Sequence, residues 1–189
     1  MGSFFIPEGK DLRIAISGKS GCGNTTVSTL LAKRLAIPCV NYTFKNLGAE
    51  LGLTVKEIVE KAKDDFSYDE RVDSRQIELA SHASCVLASR LAIWLLKIAD
   101  FKVYLYASPA KRASRVHKRE GGDLEEIARF TSLRDREDAK RYKALYDIDI
   151  DEYKSVADIV INTDEARPEK ICNIVLKELL ARSLLQEKN

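Results

Sequence analysis

Metal-binding patterns are the first thing this chain lacks. His82 and His117 are its only histidines, and neither has a partner at ligand spacing. Cys22, Cys39, Cys85 and Cys172 stand far apart with no C-x-x-C pair. That excludes a zinc knuckle or a dithiol redox centre and reads as reduced thiols of a cytoplasmic protein. Neither sign of charge dominates: 31 Lys+Arg against 29 Asp+Glu leave +2, too little for bulk nucleic-acid binding. No apolar run approaches the roughly 20 residues of a membrane span. Met1–Glu8 has neither a basic region nor a long apolar stretch, so a secretion signal is not expected. Repeats, low-complexity tracts and linkers are also missing, and 189 residues with 45% hydrophobic content fit one domain, 1–189.

What is present begins at Ile14–Thr26, IAISGKSGCGNTT. An apolar run leads into Gly18, and four residues later come Gly23-Asn24-Thr25-Thr26. This is the phosphate-loop pattern G-x-x-x-x-G-K-[ST], set between a strand and a helix, with Asn24 in the lysine's place. Glycines let the backbone curl its N–H groups toward a phosphate, and the following helix adds its positive end. Gly18, Ser20, Gly21, Cys22, Gly23, Asn24, Thr25 and Thr26 are therefore expected to hold a nucleotide's phosphates, with the Thr25 hydroxyl at the position that ligands Mg²⁺. Asn24 carries no charge, and Lys19, directly after Gly18, is the candidate to bend back and supply the missing ammonium. Cys22 reads as a small filler.

Strand and helix signals alternate along the chain. Strands are expected at Leu12–Ser17, Ile37–Val40, Cys85–Ala88, Phe101–Tyr106 and Asp158–Asn162. Between them lie helical stretches from Thr25 to about Ala36, at Thr43–Leu51, Thr54–Lys63, Tyr68–His82 and Arg90–Lys97, from Pro109 to about Glu120, and from an Asp123 cap to about Tyr146. Thr54 with Glu57 forms a capping box, and Pro168 opens the last helix. The order predicts an α/β domain: five parallel strands with helices on both faces.

Arg134, Asp138 and Arg141 recur at i, i+4 and i+7, on one helix face. Two basic helices flanking Gly121-Gly122 fit a mobile lid at about 115–125. Asp73-Ser74-Arg75-Gln76-Ile77-Glu78-Leu79-Ala80, Arg90-Leu91-Ala92, Lys118-Arg119-Glu120-Gly121, Arg141-Tyr142, Tyr146-Asp147-Ile148-Asp149 and Val160-Ile161-Asn162-Thr163, taken with the loop, resemble the nucleoside monophosphate kinases, and among them the short archaeal-type cytidylate kinases. The resemblance implies a P-loop kinase fold with a lid and an acceptor-binding segment at about 41–82. It implies γ-phosphoryl transfer from ATP to CMP or dCMP with Mg²⁺, in a monomer. By position it gives catalytic roles to Arg134 and Arg141 beside Lys19, and acceptor contacts to Lys45, Asp73, Arg75, Gln76, Arg90 and Asp138. Arg119, and with it Arg115, would reach ATP phosphates.

The sequence departs from the family's pattern at Asn24, at Tyr42 where an aspartate is common, at Lys45 in place of an arginine, and at Ala88 in place of the acid that ends the third strand. Two other readings therefore stay open: a nucleotide-binding sensor that has lost transfer, and a kinase of another small acceptor.

Overall fold

The structure, a computed structural model, describes residues 4–187. The first residues of Met1–Glu8 and both ends of the expected 1–189 unit lie outside the described residues. The chain begins with a two-residue strand β1 (Phe4–Phe5), then β2 (Arg13–Ser17), α1 (Asn24–Leu35) and β3 (Cys39–Val40). Three helices follow, α2 (Phe44–Leu51), α3 (Val55–Lys61) and α4 (Ser67–Ser81), before β4 (Cys85–Ala88), α5 (Ala92–Leu95) and β5 (Phe101–Tyr106). The second half runs α6 (Pro109–Glu120), α7 (Leu124–Tyr146), α8 (Tyr153–Val156), β6 (Ile159–Asn162), α9 (Pro168–Ala181) and β7 (Gln186–Glu187). None of these helices is long and apolar enough to cross a membrane.

The five expected strands form one parallel sheet in the order β3-β4-β2-β5-β6. The central strand β2 has Ile14 opposite Val86 on one side and Phe101 on the other. Parallel strands covered on both faces must be apolar throughout, and Ile14, Ala15 and Ile16 are fully buried. Ile14 and Ile16 face α1 and α9, packing with Val27, Leu31, Val175 and Leu179. Ala15 faces the other side, with Trp94, Tyr104, Tyr142 and Ile150. A smaller apolar cluster of Tyr42, Leu47, Ile58 and Val72 supports the α2–α4 segment.

Local signals set most boundaries. The Thr54–Glu57 box is formed, with Glu57 N–H donating to Thr54 Oγ1 at 3.2 Å and Thr54 N–H to Glu57 Oε2 at 2.8 Å. Asp123 caps α7 by accepting from Glu126 N–H at 2.8 Å. The second strand is shorter than expected because Pro38 has no N–H to extend the ladder, although its carbonyl still accepts from Val86. Arg90 and Leu91 fall before α5, not in it, since Leu91 N–H donates to Ser89 Oγ in a local turn. The antiparallel β1–β7 pair, Phe4 opposite Glu187, was outside the expectation: two-residue strands carry no readable periodicity.

β2 is where the strand order reverses, with chain connections leaving to opposite sides. In open α/β sheets, ligands bind in the crevice beyond the carboxyl ends of the strands at this switch point. The loop after β2 and the residues after β4 both emerge there.

Candidate active site

All six carbonyls of the loop Gly18–Gly23 are engaged by protein donors. Gly18 O accepts from Asn24 Nδ2 at 2.5 Å, Lys19 O from Cys22 N–H at 3.1 Å, and Gly23 O from Val27 N–H at 3.0 Å. Ser20 O accepts from Arg112 Nη1 at 3.0 Å, Gly21 O from Arg115 Nη1 at 3.2 Å, and Cys22 O from Thr163 Oγ1 at 3.1 Å. With the carbonyls taken, the N–H groups of Gly21, Gly23, Asn24, Thr25 and Thr26 have no acceptor among the described residues. Successive free amides at the start of α1 make an anion-binding concavity. Gly21 is required on two counts: its φ is +83°, and a Cβ there would stand 2.9 Å from the backbone of Arg112. At Gly18 a Cβ would meet Asn24 Oδ1 at 2.6 Å. Asn24 thus closes the loop as a neutral clasp on Gly18 and brings no charge.

Cys22 is buried in the core under the loop, and burial pushes its thiol pKa up, so it is packing and not a nucleophile. The structure does not bring Lys19 into the cleft. Its ammonium donates to Asp151 Oδ1 at 2.7 Å, on the side of the loop that faces Trp94, Tyr104 and Ile150. Both partners are solvent-accessible, and such pairs contribute about 0–1 kcal/mol. Lys19→Ala is therefore expected to leave melting temperature unchanged and to lower turnover by no more than about threefold. A loss of 10²-fold, the scale of a lost transition-state donor, would mean that the ammonium swings back onto the phosphates.

The loop opens on a cleft of about 1370 Å³ whose walls include Thr25, Thr26, Arg90, Arg115, Arg119, Arg134, Asp138 and Arg141. The i, i+4, i+7 face of α7 does point into it. Arg90 pairs with Asp138 Oδ2, and Arg141 bridges Asp138 Oδ1 at 3.3 Å and Asp69 Oδ1 at 2.9 Å. Arg134 has no carboxylate partner among the described residues. Its side chain is solvent-exposed, yet partial desolvation at the cleft and then the charge of Arg90 lower its pKa, with Asp138 opposing. Arg90, Arg134 and Arg141 thus converge around fewer carboxylates than they could neutralise. Arg119, beside the Gly121-Gly122 hinge, lines the same cleft while paired locally with Glu120.

On the opposite wall, α4 presents Asp69, Asp73 and Gln76. Gln76 Nε2 donates to Tyr42 O at 2.6 Å, and Tyr146 Oη donates to Asp73 Oδ2 at 2.9 Å. Burial pushes the Asp73 carboxyl up to about 6, with the Tyr146 bond opposing and the Asp69 charge adding. A folded-state value above the ordinary 3.8 means that the native state binds more protons than the unfolded chain between those pH values. Stability is then expected to fall as pH rises from about 4 to 6. Asp73→Asn should remove the penalty, gaining on the order of 2–3 kcal/mol at pH 7 and almost nothing at pH 4. Urea unfolding of both proteins across this range checks it, and a pH-independent difference would refute it.

Two expected acceptor contacts are not brought to the cleft. Arg75 lies off the Asp69–Asp73–Gln76 face and pairs with Glu78 at 2.7 Å, and Lys45 is exposed on α2. The sequence reading also passed over Arg112, Asp135 and Asp69. Arg112 is 4% exposed and grips Asp135 Oδ2 at 2.5 Å and Oδ1 at 3.2 Å while holding Ser20. For Asp69 the i, i+4 spacing to Asp73 was an available signal.

A sequence profile of the cytidylate kinase-like family matches residues 13–165, from β2 through the turn after β6. The chain belongs to the cytidylate kinase-like family. It is 43% identical over 176 residues to cytidylate kinase 2 of Borreliella afzelii, covering 92% of this chain and 99% of that one. With the cytidylate kinase of Archaeoglobus fulgidus it shares 35% identity over 176 residues, 92% of this chain and 97% of the other. Among solved structures, shikimate kinase from Acinetobacter baumannii superposes with a TM-score of 0.65 at 21% identity, covering 92% of this chain and 95% of that chain. That likeness gives the fold alone, a five-stranded parallel sheet covered by helices. The family segment includes the loop, the arginines and the α4 wall of the cleft, and leaves out α9, which packs on α1 and the sheet and adds Pro168 and Ile171 to the cleft's edge.

Proposed function

We propose that the protein transfers the γ-phosphoryl group of ATP to CMP or dCMP, giving ADP and CDP or dCDP, as a cytoplasmic monomer. Membership of the cytidylate kinase-like family supports the reaction class. The observation that carries it onto this chain is Arg134, a cation without a carboxylate partner among the described residues, set across one cleft from an array of free amides. A sensor that only held nucleotide would have no use for three guanidiniums facing its phosphates.

In this reading the loop amides, Thr26 and Arg119 hold the ATP phosphates. Arg90 and Arg141, oriented by Asp138, bind the acceptor's phosphate. Arg134 meets the charge that spreads over the group in transit. An acceptor phosphate oxygen forms the new bond to the γ-phosphorus as the bond to the β–γ bridging oxygen breaks. The acceptor phosphate is already ionised at neutral pH, so no side chain must act as base. Phosphoryl transfer needs positioning and positive charge more than covalent help. Mg²⁺ fits the donor set: it usually keeps waters and substrate phosphates with few protein ligands, and the exposed Thr25 hydroxyl at the start of α1 offers one oxygen. When bound, the ion neutralises charge on the β- and γ-oxygens. Closure of the 115–125 lid about Gly121-Gly122 would exclude water and limit idle ATP hydrolysis.

A coupled ADP-release assay with ATP and Mg²⁺, offering CMP, dCMP, UMP and AMP in parallel, tests the reading. Release dependent on CMP and dCMP is expected. Tight ATP binding with no release for any acceptor would overturn it in favour of the sensor.

A further inference from the structure

Each peptide unit is planar, so a carbonyl turned one way sends the N–H of the next residue the other way. In the phosphate loop, whatever holds Ser20 O therefore aims Gly21 N–H, and whatever holds Cys22 O aims Gly23 N–H. Arg112 holds the first carbonyl at 3.0 Å and the Thr163 hydroxyl holds the second at 3.1 Å. Gly21 and Gly23 lie at φ +83° and +99°. Glycine crosses between backbone regions at little cost, so the peptide beside it can turn over. A turned Cys22–Gly23 peptide would meet a phosphate with an oxygen instead of an N–H. Asn24 closes the loop without a charge, so anion binding here rests on the direction of the amides.

Thr163 opposes that turn. It is 1% exposed and directly follows β6. Its N–H donates to Tyr106 O at 2.8 Å, which carries the β5–β6 ladder one residue further. Arg115 fixes the remaining atoms: Nη2 donates to Thr163 O at 2.5 Å and Nη1 to Thr163 Oγ1 at 3.0 Å. With a lone pair taken by the guanidinium, the hydroxyl proton is left for Cys22 O. Nη1 also donates to Gly21 O at 3.2 Å, so the same guanidinium braces the loop directly. Resting on the reading that this loop holds the ATP phosphates, we propose that Thr163, steadied by Arg115, is a positioning residue for the phosphoryl donor. Its hydroxyl ties the end of the sheet to the Cys22–Gly23 peptide and keeps Gly23 N–H facing the phosphates. Arg115 serves ATP through Thr163 and the loop carbonyl.

The test measures KM for ATP and for CMP, with calorimetric titration of ATP and, as a competitor of ATP, inorganic triphosphate. Thr163→Val keeps the shape and loses the hydroxyl, Thr163→Ala also loses it, and Thr163→Ser keeps it. Thr163→Val should weaken ATP and inorganic triphosphate alike by about 10–100-fold, the range of a hydrogen bond to a charged group. KM for ATP should rise to match, while KM for CMP at saturating ATP stays within about twofold. Thr163→Ser should recover most of the affinity. Arg115→Met should weaken ATP by about tenfold in the wild type and by under about threefold in Thr163→Val, because both act on one peptide. Equal losses for ATP and CMP would overturn the assignment, as would a loss on ATP that inorganic triphosphate does not share. A serine variant as weak as the valine variant, or full additivity with Arg115→Met, would do the same. If Thr163→Val and Thr163→Ala both fail to fold, the hydroxyl is structural and the assignment falls. Failure of the kinase reading looks different: the wild type would bind ATP and transfer to no acceptor, and the titrations would still decide the role of Thr163. A wild type that binds neither ATP nor inorganic triphosphate overturns both.

Discussion

Replacing Arg134 by methionine is expected to lower kcat/KM for CMP by about 10²–10³-fold while leaving the fold intact. The activity loss follows from the cost of removing one preorganised donor to a transition state, about 3–4 kcal/mol. The intact fold follows from what Arg134 lacks. It makes no ion pair among the described residues, and the repulsion of Arg90 and Arg141 is only partly offset by Asp138. Removing it orphans no carboxylate, so the melting temperature should hold or rise slightly. Arg134→Lys keeps the charge but not the planar fork that matches a phosphate, and should recover only part of the rate. The pair of readouts is decisive. An activity loss under about threefold would remove Arg134 from the chemistry, and a large drop in melting temperature would recast it as a structural residue.

Arg112→Met should have the opposite profile: a stability loss of about 3–5 kcal/mol, which for a chain of this size is roughly 10 °C or more in melting temperature. Arg112 is nearly inaccessible and satisfies two half-buried partners, the Asp135 carboxylate and the Ser20 carbonyl. Truncating it strands a half-buried carboxylate beside the cavity it leaves, which is costlier than the net worth of the pair. The double variant Arg112→Met with Asp135→Leu should therefore be more stable than the single one. If the single variant melts within a degree or two of the wild type, the pair is not under the strain of burial that its position implies. Activity should fall too, because Ser20 O would then be free to turn inward among the phosphate-facing amides.

These contrasts show where the sequence was readable. The five-stranded sheet was, because its strands are apolar runs such as Leu12–Ser17 and Phe101–Tyr106 and its helices carry local stop and start signals at Thr54, Asp123 and Pro168. The convergence of Arg134, Asp138 and Arg141 was also legible, since helical spacing alone puts them on one face. What was not legible depends on partners far along the chain. Arg112 looks like any lysine or arginine of a basic helix until Asp135 and Ser20 close on it from other elements. Lys19 shows the same dependence from the other side: its place beside Gly18 suggested a phosphate ligand, and in the structure Asp151, more than a hundred residues on, takes its ammonium. Arg75 and Lys45 were assigned through the resemblance, and the phase of α4 and the exposure of α2 keep both off the cleft wall. Asn24 could be seen to lack charge, but its hydrogen bond to Gly18 needed the loop's curl.

The crowding of Arg90, Arg134 and Arg141 has a consequence for the life of the protein in a cell. Three guanidiniums sharing the carboxylates of Asp138 and Asp69, with Arg134 left unpaired among the described residues, work against the folded state, and any anion that settles among them relieves that tension. A ligand at 100 times its dissociation constant adds about 2.7 kcal/mol to stability, a sizeable part of what holds a typical domain folded. The unfolded fraction, and with it exposure to proteases, should rise when phosphorylated metabolites become scarce. The quantity of this protein would then follow the supply of its own ligands, with no regulator beyond three arginines in want of a phosphate.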